Sequence, residues 1–405
     1  MRRDVRFPNA SGSLLAGSIE MPAGRVRAVA LFAHCFTCSA QSHGARRVSL
    51  ALATEGIATL RFDFTGLGKS EGDFADSHFG ANVDDLVAAA DHLRATIGAP
   101  TILIGHSLGG AAVIAAASRI VEVKAVVTIG APFDPAHVLH QLGDGAERVL
   151  AAGEAEVAIG GRPFTIRRDF LEAVEGQDQA ARLANLKCAL LVLHAPTDAT
   201  VGIENARMIF EAARHPKGFI ALDGADHLLT DPAQAGYAAT MIAAWVEPFL
   251  PRPGALNQVP EGRVRVASGE GKFVQIVDSA GHSFLADEPE SVGGSALGPT
   301  PYDLLLASLG TCTAMTIQLV AAREGIPLEG VSVLLDHERR HADDCDSTTG
   351  RIEVLTREIA LSGDLSDAQR ARLLEIANKC PVHRTLESGP HVETRLVSLS
   401  SVRPE

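Results

Sequence analysis

The stretch Thr101-Ile102-Leu103-Ile104-Gly105-His106-Ser107-Leu108-Gly109-Gly110-Ala111-Ala112 decides the reading of the first part of this chain. Its first half is a continuous apolar run, as expected of a strand buried on both faces of a parallel sheet. From Leu108 to Ile120 the chain is Ala-rich with helical period. The two are joined by Gly105-His106-Ser107-Leu108-Gly109, a G-x-S-x-G with no residues to spare. A strand that turns at once into a helix lifts the serine hydroxyl above the sheet edge, and glycines flank it because side chains there would collide with the neighbouring strand and helix. The helix N-terminus behind it favours negative charge. Ser107 is therefore the candidate nucleophile; the plainer alternative is an ordinary βα turn.

Outward from this motif the same rhythm repeats. Arg27–His34, Ala58–Phe64, Ala125–Ile129 and Ala189–His194 are further near-continuous apolar runs, with a weaker one at Gly218–Leu222. Helical stretches at Gln41–Glu55, Val83–Thr96 and Gly202–Arg214 lie between them, and Met241–Leu250 closes the series. Strands alternating with helices predict a doubly wound α/β sheet over residues 1–250. About fifty residues inserted between the strands ending at Ile129 and starting at Ala189 predict a small cap. Pro251-Arg252-Pro253-Gly254 cannot continue a helix and places a linker at residues 251–259. Residues 260–405 change to strands at Arg263–Ala267 and Lys272–Asp278, a long apolar helix Tyr302–Arg323, strands Val331–His341 and Arg351–Leu361, and a helix Ser366–Lys379, an α+β pattern.

Length and composition agree with two globular domains: 405 residues, 46% hydrophobic and 21% charged. A formal charge of −13 without a local Lys/Arg run leaves nothing to neutralise phosphates, which argues against nucleic acid as a partner. The charged start Met1-Arg2-Arg3-Asp4 is followed by no apolar leader core, and no stretch reads as ~18 uninterrupted apolar residues, so a cytoplasmic protein without membrane contact is expected. Six cysteines are too sparse for a disulfide framework and should matter chemically if at all.

A nucleophilic serine needs a base, and the base an orienting acid. In a sheet of this kind they follow the serine in the order acid, then histidine, each in a loop after a strand. Ala195-Pro196-Thr197-Asp198 follows one strand and Gly224-Ala225-Asp226-His227 the next, which marks Asp198 as acid and His227 as base. Asp134, after the strand Ala125–Ile129, is the competing acid; Asp226 adjoins His227, but neighbouring loop side chains diverge. The oxyanion hole is expected from the N–H of Leu108 and an N–H in His34-Cys35-Phe36-Thr37, after the first of these strands. That loop resembles the His-Gly-x-x of the α/β-hydrolase family, and Arg61–Gly72 resembles the turn after that family's fourth strand. The resemblance spans about residues 10–250 and implies Phe36 N–H as the second donor, with Cys35 standing where the family usually has glycine. Cys35 and Cys38 also form a C-x-x-C, which elsewhere marks a redox pair or half of a zinc site, though no second pair lies nearby.

In the second domain Cys312 sits in the long helix and Cys380 at the end of the later one, before Pro381. A helical cysteine among apolar neighbours is usually a small hydrophobe. Gly293–Thr316, with Pro301-Tyr302-Asp303-Leu304-Leu305, and Asn378–Leu386 resemble the OsmC/Ohr family of thiol-dependent peroxide-reducing proteins over about residues 260–405. The resemblance implies Cys312 as peroxidatic thiol, Cys380 as resolving thiol, Asp303 at the family's acidic position, an intertwined homodimer, and an organic hydroperoxide and thiol reductant as partners. The family's arginine is expected near Arg263 or Arg265. Period two carries the inner face of Val331, Val333 and Leu335 on through His337, Arg339 and His341, so Arg339 is a second candidate cation, and His341 with Cys345 a candidate metal pair; a solvated strand end accounts for them equally well. The reading is a serine carboxylesterase for small or medium esters, without cofactor or metal, fused to an OsmC-like thiol domain. The alternative is a hydroperoxide reductase with an auxiliary hydrolase part, and a third role for the second domain is dimerisation alone.

Overall fold

The computed structural model describes residues 2–35, 37–159, 162–250, 259–341 and 351–398, apart from the side chains of Asp76, 339–341 and 351–352. The chain divides into two compact units, Met1–Gly254 and Ala255–Glu405.

The first unit runs β1 (Arg2–Pro8), β2 (Leu14–Glu20), β3 (Ala28–Ala33), α1 (His43–Thr54), β4 (Ile57–Phe62), α2 (Phe79–Thr96), β5 (Ile102–His106), α3 (Leu108–Ala116) and β6 (Ala125–Ile129). The cap segment holds α4 (Gly145–Ala152), β7 (Glu154–Ile159), β8 (Arg162–Arg167), α5 (Arg168–Val174) and α6 (Gln179–Ala184). β9 (Ala189–His194), α7 (Glu204–Ala212), β10 (Lys217–Ala221) and α8 (Pro232–Val246) complete it. Eight strands form one sheet in the order β1-β2-β4-β3-β5-β6-β9-β10, parallel from β4 to β10 and antiparallel at the β1–β2 edge. This is the doubly wound α/β class expected from the apolar runs.

The parallel strands are buried on both faces because each face has its own core. Leu31, Leu103, Val126 and Leu190 pack under α2, α3 and α7, while Phe32, Ile104, Val127 and Leu193 pack under α1 and α8. Fully burying one such side chain contributes about 1.5–3 kcal/mol. β1 and β2 were not anticipated: Arg2-Arg3-Asp4-Val5-Arg6-Phe7 is a charged edge strand that buries only Phe7. The cap hairpin β7–β8 was missed for the same reason, since only Val157, Ile159 and Ile166 along it are buried.

In the second unit β11 (Val264–Ser268), β12 (Gln275–Ser279) and β13 (His282–Ala286) make an antiparallel sheet. α9 (Pro301–Glu324) follows, then the hairpin β14 (Gly330–His341) and β15 (Arg351–Ser362), α10 (Asp367–Ala377) and α11 (Pro381–Ser388). Ile317 and Ala321 of α9 meet Leu373 and Ala377 of α10 over Val331 and Ile359 of the hairpin. α9 corrects one expectation: among the described residues it is long and apolar enough to cross a membrane by length and composition, with a mean hydropathy of 1.7. Its small polar residues hid this, and they are accommodated within the helix, Thr313 and Thr316 hydroxyls donating to the Leu309 and Cys312 carbonyls at 2.7 Å. A core helix of a water-soluble protein meets the same test, and α9 packs against β14, α10 and α11.

Candidate active site

Ser107 sits between β5 and α3 with φ 55° and ψ −127°, a conformation that a non-glycine residue adopts only where the surroundings impose it. Its N–H donates to Ile129 O at 2.9 Å, anchoring the elbow to β6. A Cβ at Gly105 would lie 2.3 Å from Gly109 O, and one at Gly109 would lie 2.4 Å from Ala33 O and 2.6 Å from His34 O. The flanking glycines are thus required by backbone contact with the helix on one side and the β3 loop on the other.

Asp198 and His227, from the loops after β9 and β10, meet through Oδ2 and Nδ1 at 2.7 Å. Asp198 Oδ1 accepts from Thr200 N–H at 2.8 Å and Val201 N–H at 2.9 Å, so the carboxylate is held on both oxygens. Burial opposes its ionisation, but the bonds from His227 and these two amides outweigh that and hold its pKa below the usual carboxylate range. Gly130, next to Ile129, abuts this pair: its Cβ position lies 3.3 Å from Asp198 Oδ2 and 3.4 Å from His227 Nδ1. The serine elbow and the Asp198–His227 pair therefore share one corner of the sheet. Asp134 instead caps the turn that follows it, accepting from Ala136 N–H, and Asp226 binds the N–H and hydroxyl of Thr230.

Of the residues expected at the oxyanion hole, Leu108 is buried as the first residue of α3, and Phe36 lies outside the described residues. The loop around Phe36 contains a disulfide between Cys35 and Cys38. The sequence left this pair open as redox or metal; the two cysteines are bonded to each other. His34, Cys35, Thr37, Leu108, Gly109 and Phe64 line one small pocket.

Two buried histidines brace the His227 and Asp198 loops. His106 Nε2–H donates to the carbonyl of His227 at 2.6 Å, and His194 Nε2–H donates to Val201 O at 2.7 Å beneath Asp198. Burial, reinforced by repulsion from a charged His227, pushes the His106 pKa down to about 4. The unfolded chain takes up this proton near 6.5 and the folded chain does not, so the stability linked to His106 is complete above 6.5 and lost as pH falls toward 4. That gap corresponds to about 3 kcal/mol. Burial shifts His34 and His194 in the same direction. The melting temperature of the intact protein is expected to drop across this window, and His106→Gln, which keeps a donor for His227, should make the drop shallower. An unchanged slope would remove His106 from this role. Sequence reasoning missed His106 because its partner is a backbone carbonyl 121 positions away.

In the second unit both Cys312 and Cys380 are free thiols. Cys380 is buried at the start of α11, where Sγ accepts from His383 N–H at 3.4 Å and lies 3.6 Å from Thr313 Oγ1. Thr313 follows Cys312 in α9 and is itself fully buried, whereas Cys312 is half-buried. The cation that reaches Thr313 and the start of α11 is Arg357, which the sequence did not single out. It donates to Thr313 Oγ1 at 2.8 Å, to Ala377 O at 3.1 Å and to Asn378 Oδ1 at 2.9 Å, with His383 Nδ1 at 3.2 Å. Arg357 pairs with Leu335 across the hairpin and so shares its inward face. The register that aligns them was the missing signal.

The other candidate supports lie elsewhere. Asp303 closes a capping box with Thr300, nine residues or about 14 Å along α9 from Cys312. Arg265 pairs with Asp278 at 3.1 Å across β11–β12, while Arg263 lies just before β11. The inward alternation of β14 continues as far as His337, which stacks on Tyr302 at 4.2 Å near the start of α9. The side chains of Arg339 and His341, and Cys345 as a whole, are outside the described residues.

Residues 30–294 match the family described as "Alpha/beta hydrolase family", and residues 293–395 match "OsmC-like protein". The crystal structure of the esterase domain from a Rhodothermus marinus protein is 46% identical, with 62% of this chain and 99% of that chain covered and a TM-score of 0.52. Est1E from Butyrivibrio proteoclasticus with ferulic acid bound is 18% identical, covering 60% and 99%, with a TM-score of 0.50. Mouse alpha/beta hydrolase domain-containing protein 10 is 21% identical, covering 61% and 99%, also at 0.50. These last two show a shared fold alone. No curated protein is significantly similar to the chain.

Proposed function

Because this chain belongs to the alpha/beta hydrolase family, we propose that it is a serine carboxylesterase acting on small or medium esters through an acyl-enzyme at Ser107. The observation that carries this is the Ser107 elbow beside the 2.7 Å Asp198–His227 pair. The 46% identity to an esterase domain supports the ester as substrate class. His227 takes the Ser107 proton as the hydroxyl attacks the ester carbonyl, and Asp198 stabilises the imidazolium that results. Leu108 N–H and the N–H of Phe36 receive the oxyanion. His227 then protonates the departing alcohol and activates the water that releases the acid. The short cap favours modest acyl and alkyl groups. Turnover of 4-nitrophenyl esters by the intact protein should peak between acetate and octanoate and fall steeply at palmitate; absence of hydrolysis across the series sinks the reading.

A second activity is supported in the OsmC-like unit by the Arg357–Thr313–Cys380 cluster, whose Thr313 adjoins Cys312 in sequence. In this reading an organic hydroperoxide oxidises the Cys312 thiolate to a sulfenic acid and leaves as alcohol, Cys380 condenses with it to give a disulfide and water, and a thiol reductant restores both thiols. Limiting hydroperoxide should therefore link Cys312 to Cys380, and Cys380→Ser should leave a trappable sulfenic acid, with ester hydrolysis unaffected by either treatment. Mass spectrometry showing both cysteines still reduced after other thiols have oxidised makes the unit non-peroxidatic. Half-buried Cys312 shares an i, i+3, i+7 stripe with exposed Met315 and Leu319 on α9, an apolar face that a second copy of the chain would cover. Sedimentation of a monomer at working concentration would contradict that dimer.

A further inference from the structure

No step of ester hydrolysis at Ser107 makes or breaks the Cys35–Cys38 disulfide, and we propose that this pair is a redox modification site: closed, it fixes the pocket wall beside Ser107, and its reduction by a dithiol lowers esterase turnover. The proposal rests on the Ser107 reading.

The pair spans the loop that faces the first turn of α3. Just before the ring the contact is backbone to backbone, since Gly109 has no room for a Cβ against Ala33 O and His34 O. Cys35 and Thr37 also line the same pocket as Leu108 and Gly109. Within the ring, Thr37 is held at φ 59°, a left-handed conformation unfavourable for a β-branched residue. Cys38 N–H and the His34 imidazole both donate to Cys35 O, at 3.1 and 2.8 Å, and Arg162 of the cap hairpin donates to Thr37 O. With the S–S bond open, the strain at Thr37 is free to relax, and both the pocket wall and the docking point of the cap hairpin shift.

The ends of the loop do not depend on the disulfide. β3 fixes one end in the sheet. At the other, Ala40 N–H donates to Asp63 at 2.6 Å and Ala40 O accepts from Arg61 at 2.5 Å, with Arg61 fully buried and paired to Glu20. Reduction is thereby confined to the catalytic loop and leaves the fold standing. Exchange starts at Cys38, which is partly exposed, whereas Cys35 is 5% exposed. The reductant's thiolate bonds to Cys38 Sγ, the S–S bond breaks, and its electron pair leaves on Cys35, which takes a proton. The reductant's second thiolate then attacks its own sulfur in the mixed disulfide and releases Cys38. Two electrons pass, one dithiol becoming a disulfide as the protein disulfide becomes two thiols. A hydroperoxide reverses this, giving alcohol and water.

The test uses the intact oxidised protein and 1-naphthyl acetate. After anaerobic dithiothreitol treatment and desalting, one portion is assayed and another alkylated and mapped. We expect kcat to fall at least tenfold as alkylation appears at Cys35 and Cys38, against the 10²–10³ that loss of a whole oxyanion donor costs. Hydrogen peroxide should restore it. Cys38→Ser should show the low kcat and no response to dithiothreitol; should that variant not fold, the wild-type reduction and re-oxidation cycle decides alone. Unchanged turnover with both thiols alkylatable overturns the proposal while the Ser107 reading stands. Ester hydrolysis that persists in Ser107→Ala overturns both.

Discussion

Ser107→Ala is expected to lower kcat on short esters by about 10⁶, the loss typical when a nucleophile is removed from a triad acting as a unit. The fold should survive, because the elbow is held by the backbone bond from residue 107 to Ile129 O and the serine side chain makes no capping bond to α3. A melting temperature close to wild type together with lost hydrolysis is the expected pair of results. Retention of most activity would move the nucleophile elsewhere. Thiol chemistry at Cys312 and Cys380 should be untouched, which separates the two activities within one chain.

Asp198→Asn should cost about 10⁴ in kcat, because an amide facing Nδ1 turns the imidazole to the wrong tautomer and cannot stabilise its cation. Asparagine can still accept from Thr200 and Val201 N–H through its carbonyl, so the loop keeps its shape. Asp134→Asn should change turnover less than twofold, since Asp134 only caps a turn and asparagine caps as well as aspartate. Kinetics of the two variants side by side check the assignment; the reverse ranking would place the acid after β6.

The parallel strands were legible because burial on both faces writes unbroken apolar runs such as Ala125–Ile129. The edge strand β1 and the cap hairpin β7–β8 were not, because strands with one wet face and many charges carry little period-two signal, and β2, though mostly buried, has its apolar run broken by Gly17 and Ser18. Ser107 is singled out by its G-x-S-x-G between strand and helix, and Asp198 and His227 by the strands they follow, since in a doubly wound sheet chemistry gathers at the strand ends. What sequence order does not carry is register and long-range backbone contact. Arg357 is brought to Thr313 and His383 by the pairing of Leu335 with Arg357, and the length of sequence between the two strands does not fix that register in advance. His106 reaches His227 through a carbonyl, which no residue type reveals. Asp303 illustrates the converse: its residue type fits an acidic site, while its third position in α9 makes it a cap.

The most direct measurement of the central claim is labelling of the intact protein with a fluorophosphonate, followed by peptide mapping and ester assay of the same sample. The account predicts one phosphonyl group per chain, on Ser107, with hydrolysis lost in proportion to labelling. Full ester hydrolysis in protein labelled at Ser107, or inactivation by label on a different residue, would contradict it.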